Sequence, residues 1–127
     1  MTMNEYQEFA SRTINQSLSR EQCTAHALHE IAAECGEIHS IFQKRYQGHD
    51  INYRDLSLEI GDLLWGIAEL CTAHGWSLED IAQANIDKLK KRYPDGFSSE
   101  KSLNRDNADT DSMNPVERRI FRTFCKR

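Results

Sequence analysis

The chain has 127 residues, 39% of them hydrophobic and 28% charged, with a formal net charge of −4. That length supports one compact domain with a hydrophobic core and is short for two. No apolar run reaches membrane-span length, and Met1 to Ala10 has neither the apolar run of a secretory signal nor the basic character of a transit peptide, so the expected location is the cytoplasm.

Glycine and proline are scarce, and apolar residues recur at helical rather than alternating spacing, which predicts an all-α chain. In the first segment Tyr6, Phe9, Ala10, Thr13, Ile14 and Leu18 follow the i, i+3, i+4, i+7 rule, predicting a helix over residues 3–18. A second helix is expected from about Glu21 to Tyr46, with Leu28, Ile31, Cys35, Ile38 and Phe42 as its buried stripe, ended by Gln47-Gly48-His49-Asp50. A third should span Tyr53 to Ala73 and bury Leu56, Ile60, Leu63, Leu64, Ile67, Leu70 and Cys71, with His74-Gly75 as its stop. Ser77 is a suitable N-cap for a fourth helix, Leu78 to Arg92, with Asp80 placed for a capping box and Trp76 and Ile81 for a hydrophobic staple. Pro94-Asp95-Gly96 is turn chemistry, residues 98–114 read as a polar, loosely ordered connector, and a short basic helix is expected from Pro115. The domain is therefore placed at 1–97 and the tail at 98–127.

Cys23, Cys35, Cys71 and Cys125 show no CxxC spacing, so a structural zinc site is not expected and the thiols are read as reduced. Most basic residues follow Lys88, which argues against a broad nucleic-acid surface while leaving room for a local phosphate pocket.

Four carboxylates stand out. On a helical wheel Glu34 lies about 80° and Glu37 about 140° from the centre of the second helix's apolar stripe. Glu59 and Asp62 have nearly the same offsets on the third helix, in the same sense. Antiparallel packing of the two stripes would bring both acidic pairs to one edge. Two like charges about 4 Å apart cost on the order of 4 kcal/mol at an effective dielectric of 20, and a divalent cation removes that cost. The donors are all oxygen and neither pair has ExxH spacing, which favours Mg²⁺ or Mn²⁺ over a di-iron centre. The competing reading of ExxE and ExxD is two solvated helix faces, and geometry leaves both open. Gly36 and Gly61 leave space beside the acids.

On the fourth helix Asn85 falls near the centre of the stripe formed by Leu78, Ile81, Ala82 and Leu89, where a buried amide would need partners. Lys88 and Arg92 follow along one edge, a lining suited to polyphosphate, with cations that complement a helix C-terminus as the other reading. Lys44 and Arg45 at the end of the second helix admit the same two readings.

Glu34-Cys35-Gly36-Glu37 has the form ExxE, and Glu59-Ile60-Gly61-Asp62-Leu63-Leu64-Trp65 carries ExxD. The stretch from Asn85 to Phe97 has the form NxxKLxxRYPxGF. In this order and spacing the three resemble the MazG-like nucleotide pyrophosphohydrolases of the all-alpha NTP pyrophosphatase superfamily, and the match covers most of the chain. The resemblance implies a four-helix MazG-like bundle that pools helices between subunits as a homodimer or homotetramer. It implies that Glu34, Glu37, Glu59 and Asp62 bind Mg²⁺, with Mn²⁺ as substitute, and that Asn85, Lys88, Arg92 and Tyr93 hold a triphosphate. Relatives sandwich the base with aromatic residues, for which Trp65, His26 and Phe97 are the candidates; Trp65 lies opposite the apolar stripe and is equally placed for a subunit contact. In the tail, Ile120, Phe121 and Phe124 either dock on a partner subunit or form a loose end.

The activity so implied is hydrolysis of a nucleoside triphosphate to a monophosphate and pyrophosphate, with Glu37, or next Glu34, as general base. The alternatives are a dUTP, dCTP or phosphoribosyl-ATP pyrophosphatase of the same superfamily, or a non-catalytic nucleotide-binding helical module. No contact with nucleic acid or membrane is expected.

Overall fold

The computed structural model describes residues 1–104 and Arg118. Among them every regular element is helical: α1 (Met3–Ser11), α2 (Arg20–Arg45), α3 (Tyr53–His74), α4 (Leu78–Arg92) and α5 (Ser99–Leu103). None is long and apolar enough to cross a membrane. Met1–Gly75 and Trp76–Arg127 form two compact units.

Local chemistry sets the helix ends. Thr2 and Ser19 each close a capping box, with Glu5 and Gln22 returning the bond. Asn52 accepts from the amides of Arg54 and Asp55, and Ser77 from that of Asp80. Gly75 stops α3 at φ 66°, a left-handed C-cap that glycine adopts without steric cost.

The first helix is shorter than its periodicity predicts, ending at Ser11 rather than Leu18. The hydroxyls of Ser11 and Thr13 donate to the carbonyls of Glu8 and Ala10, and Asn15 Oδ1 accepts from the amide and hydroxyl of Ser17. Such short polar side chains offer the backbone an alternative to the helix ladder. The stretch expected as a polar, loosely ordered connector contains α5, capped by Ser98. The helix expected from Pro115 lies outside the described residues apart from Arg118, as do Ile120, Phe121 and Phe124.

In the first unit α2 and α3 form an antiparallel hairpin joined by residues 46–52. Contacts run in opposite order along the two helices: His74 meets Arg20 and Thr24, Glu69 meets His26, and Gly66 sits on Ile31. The helices approach closely because the seam is made of small residues. Ala27, Gly66 and Ala68 are buried in it, and a Cβ on Gly66 would stand 3.1 Å from Ile31 Cγ1. The first helix packs on α3 through Gln7 Nε2 to Thr72 Oγ1 at 3.2 Å, and Trp65 Nε1 donates to Thr13 Oγ1 at 2.8 Å. Ile14 and Cys71 complete the buried apolar set of this unit.

The seam of α2 is rotated from the predicted stripe. Ala27 is buried and Ile31, Glu34, Ile38 and Ile41 are half-buried, whereas Leu28 is 53% exposed, and Cys35 and Phe42 also face outward. On α3 the same correction applies to Ile60, which is 53% exposed. Small residues in the seam, Ala27, Ala68 and above all Gly66 against Ile31, let the helices approach, and they rather than the largest side chains set the rotation. In the second unit Leu78 and Ala84 are buried, while Asn85 is exposed and not the buried amide that its stripe position predicts.

Candidate functional site

The rotation of α2 carries Glu34 into the seam. Opposite it, Glu59 and Asp62 leave α3 three residues apart, close to one helical turn, and so on adjoining parts of one face. One carboxylate oxygen from each of Glu34, Glu59 and Asp62 lies within 4.8 Å of the other two. Glu34 and Glu59 are half-buried and Asp62 is exposed, so the cluster opens to solvent at Asp62.

Three of the four acids picked from sequence are thus brought together. Glu37 does not join them: it lies nearly one turn further along α2 and is exposed. Glu30, one turn in the other direction, adds negative charge near Glu34.

Glu34 is the strained member. Its carboxyl pKa is raised, first by burial and then by a hydrogen bond with Glu59 and the charges of Glu59, Glu30 and Asp62. Burial and the neighbouring negative charges both favour the protonated form of Glu34. Even so, Glu34 Oε2 is buried without a hydrogen-bond partner among the described residues. A set of carboxylate oxygens, one of them orphaned, fits a hard divalent cation: Mg²⁺ and Mn²⁺ take oxygen donors and supply the positive charge this corner lacks. The open space beside Gly36 and Gly61, where an added Cβ would meet nothing within 4 Å, leaves room next to the acids.

The first unit contributes two features that the sequence patterns did not single out. Tyr6 of α1 stands near Asp62, and its phenol is held protonated by burial first and by the Asp62 charge second. Glu69 of α3 is 1% exposed and bonds His26 Nδ1 at 2.8 Å. A charged residue in an otherwise apolar helix face was the available signal for Glu69, and the pattern around Leu70 and Cys71 obscured it.

Of the candidate base-binding residues, His26 and Trp65 are neighbours. Their rings meet edge to face with centroids 6.3 Å apart and an interplanar angle of 86°. Trp65 is half-buried and tied to Thr13, which accounts for its place opposite the apolar stripe within a single subunit. Lys44 is exposed in the last turn of α2. The next residue, Arg45, lines a hollow of about 350 Å³ with His49, Asp50, Ile51 and Tyr53.

The remaining candidates belong to the second unit. Asn85 and Lys88 are exposed on α4, and Arg92 and Tyr93 are half-buried at its end. The Tyr93 ring lies 5.9 Å from that of Phe97 in a tilted pair.

Residues 22–97 match the model of the MazG nucleotide pyrophosphohydrolase domain. No curated protein and no solved structure matches the chain. The matched stretch runs from the first turn of α2 through the acidic cluster to Phe97, more than half of the chain. On that match the chain belongs to the MazG nucleotide pyrophosphohydrolase domain family.

Proposed function

We propose that the chain hydrolyses nucleoside triphosphates, ribo or deoxyribo, to the monophosphate and pyrophosphate, with Mg²⁺ held by Glu34, Glu59 and Asp62. The observation that carries this reading is the convergence of those three carboxylates within 4.8 Å, one with a buried oxygen lacking a hydrogen-bond partner, in a chain of this family.

When bound, the cation supplies positive charge to the α-phosphate and acidifies water at the site. The protein's own groups do the rest. Glu37, exposed beside the cluster and not part of it, is assigned as the general base that takes the proton of the attacking water. Glu34 is less suited to that task, because it is half-buried within the carboxylate cluster that would hold the cation. Asn85, Lys88, Arg92 and Tyr93 are assigned to the triphosphate on the match to the family's final motif, with Lys44 as a further cation for phosphate oxygens. Trp65 and His26 are assigned to the base.

A second copy of the chain is proposed to complete the assembly as a dimer or tetramer. The apolar side chains left on the surface of the first unit, Leu28, Phe42, Leu58 and Ile60, support it, since one unit alone leaves them in water. The activity is tested by incubating the purified chain with canonical and modified triphosphates and Mg²⁺, then resolving products by chromatography. Monophosphate and pyrophosphate are expected. A diphosphate with orthophosphate, or no turnover of any triphosphate, refutes the reading.

A further inference from the structure

Glu69 is the largest fully buried side chain among the described residues, and the acidic cluster does not use it. A carboxylate removed from water needs a counter-group, and Glu69 has one in His26. Seven residues separate Asp62 from Glu69, two turns of α3 or roughly 10 Å, so both carboxylates leave one face of the helix. Eight residues separate Glu34 from His26 on α2, roughly 12 Å. The pair therefore stands along the same seam as the cluster, at the distance of a nucleoside rather than of a phosphate.

A bond whose only task is to join two helices would gain most with both partners covered. Here the imidazole side chain is 49% exposed while Glu69 is 1% exposed. With Nδ1 turned inward to Glu69, the far ring nitrogen Nε2 points away from it, because the two nitrogens lie on opposite sides of the ring. The edge of Trp65, itself anchored to Thr13, stands against the imidazole and restricts its rotation.

Charge decides what such a group faces. Glu69 from α3 and Glu30 from α2 both act on His26, so the ring sits in a negative surround even when protonated. A polyphosphate is repelled there, whereas a neutral heterocycle that offers an N–H donor is not.

We propose that Glu69 is a positioning residue: its carboxylate accepts the Nδ1 proton of His26, which leaves Nε2 of the neutral ring as a hydrogen-bond acceptor for a donor on the nucleobase, an exocyclic amine or a ring N–H. This rests on the pyrophosphohydrolase reading above and adds to it the chemical character of the base pocket. The bond to Glu69 also raises the His26 pKa, so Nε2 becomes an acceptor as pH rises through that raised value.

The test measures kcat and KM for a triphosphate that the wild type hydrolyses, together with the inhibition constant of inorganic tripolyphosphate, which has no base. The variants are His26→Ala, His26→Gln and Glu69→Gln, each followed across pH. His26→Ala should raise KM about threefold to tenfold, the scale of one neutral hydrogen bond, with kcat held. His26→Gln should recover part of the loss, because its amide oxygen can accept where Nε2 stood. Glu69→Gln should shift the rise in KM to lower pH, since the imidazole loses its anionic partner. Tripolyphosphate should inhibit all four proteins equally. An unchanged KM in His26→Ala, or loss of nucleotide and tripolyphosphate affinity together, overturns the inference while wild-type turnover keeps the pyrophosphohydrolase reading intact. A wild type that hydrolyses no triphosphate overturns both.

Discussion

Replacing Glu34 by Gln separates cation binding from folding. Glu34 and Glu59 have oxygens no more than 4.8 Å apart, so with both ionised the pair repels by about 3.5 kcal/mol at an effective dielectric of 20. Asp62 is exposed and screened, so it adds less. Burial first, and then the neighbouring acids, raise the Glu34 pKa above its unfolded value. Its contribution to stability is thus full below the ordinary glutamate pKa and is lost as pH rises through the folded value. Gln imitates the protonated form at every pH, so the cation-free variant should match the wild type in acid and exceed it near neutrality. A cation that binds only the folded state, at 100 times its dissociation constant, adds about 2.7 kcal/mol. For a chain of this size that is about 10 °C in Tm. Thermal unfolding followed with EDTA, Mg²⁺ and Mn²⁺ at acid and neutral pH should show that increment in the wild type and a small fraction of it in Glu34→Gln. The reasoning is refuted if the variant keeps the full cation shift, or if the cation-free wild type gains stability relative to it as pH rises.

Gly66→Ala should lower stability by about 1 kcal/mol, because overpacking against Ile31 at 3.1 Å outweighs the gain in helix propensity, whereas Gly36→Ala and Gly61→Ala, with open space around the new Cβ, should each raise it by about 1 kcal/mol in urea unfolding. The stability contributed by the His26–Glu69 pair is full below the unfolded histidine pKa of about 6.5 and lost as pH rises through the raised folded value, so the Tm advantage of wild type over Glu69→Gln should shrink above that pH. Among the described thiols, exposed Cys35 should be alkylated by iodoacetamide well before Cys71, which is buried and has its pKa raised by that burial; peptide mass mapping at short times reads the order.

The helices were largely legible because their ends are written in single residues. Asn52, Ser77 and Gly75 fix the bounds of α3 and α4 by capping chemistry, and those bounds follow the sequence reading to within a residue. The end of α1 was not, since the apolar spacing continues through Ile14 to Leu18 while the hydroxyls of Ser11 and Thr13 and the amide of Asn15 take the backbone out of the helix. The rotation of α2 was also hidden. Counting large apolar residues put Leu28, Cys35 and Phe42 in the seam, but helix approach is governed by where the side chains are small, at Ala27, Ala68 and Gly66. The same error placed Glu34 on an edge when it lies in the seam, and so understated its burial. Glu69 escaped notice because its counter-group, His26, lies 43 residues away in sequence, a pairing that only the hairpin register supplies.

The two carboxylates of the α2–α3 seam differ in what their surroundings provide, and that difference separates their roles. Both occupy positions where an apolar side chain would stabilise the hairpin at no electrostatic cost. Glu69 is matched within the chain: the imidazole of His26 meets it at 2.8 Å, so the charge is compensated and what remains to explain is why the imidazole stays half in water. Glu34 is not matched. Among the described residues the charges that act on it are those of Glu59, Glu30 and Asp62, and together with burial they raise its pKa. A fold selected for stability would have no reason to gather anions there and leave one oxygen unsatisfied. A positive partner from outside the chain resolves Glu34 in a way no rearrangement of the described residues does, whereas Glu69 needs none. The proposed cation is therefore assigned to Glu34 and the proposed positioning role to Glu69, two turns beyond Asp62 on α3.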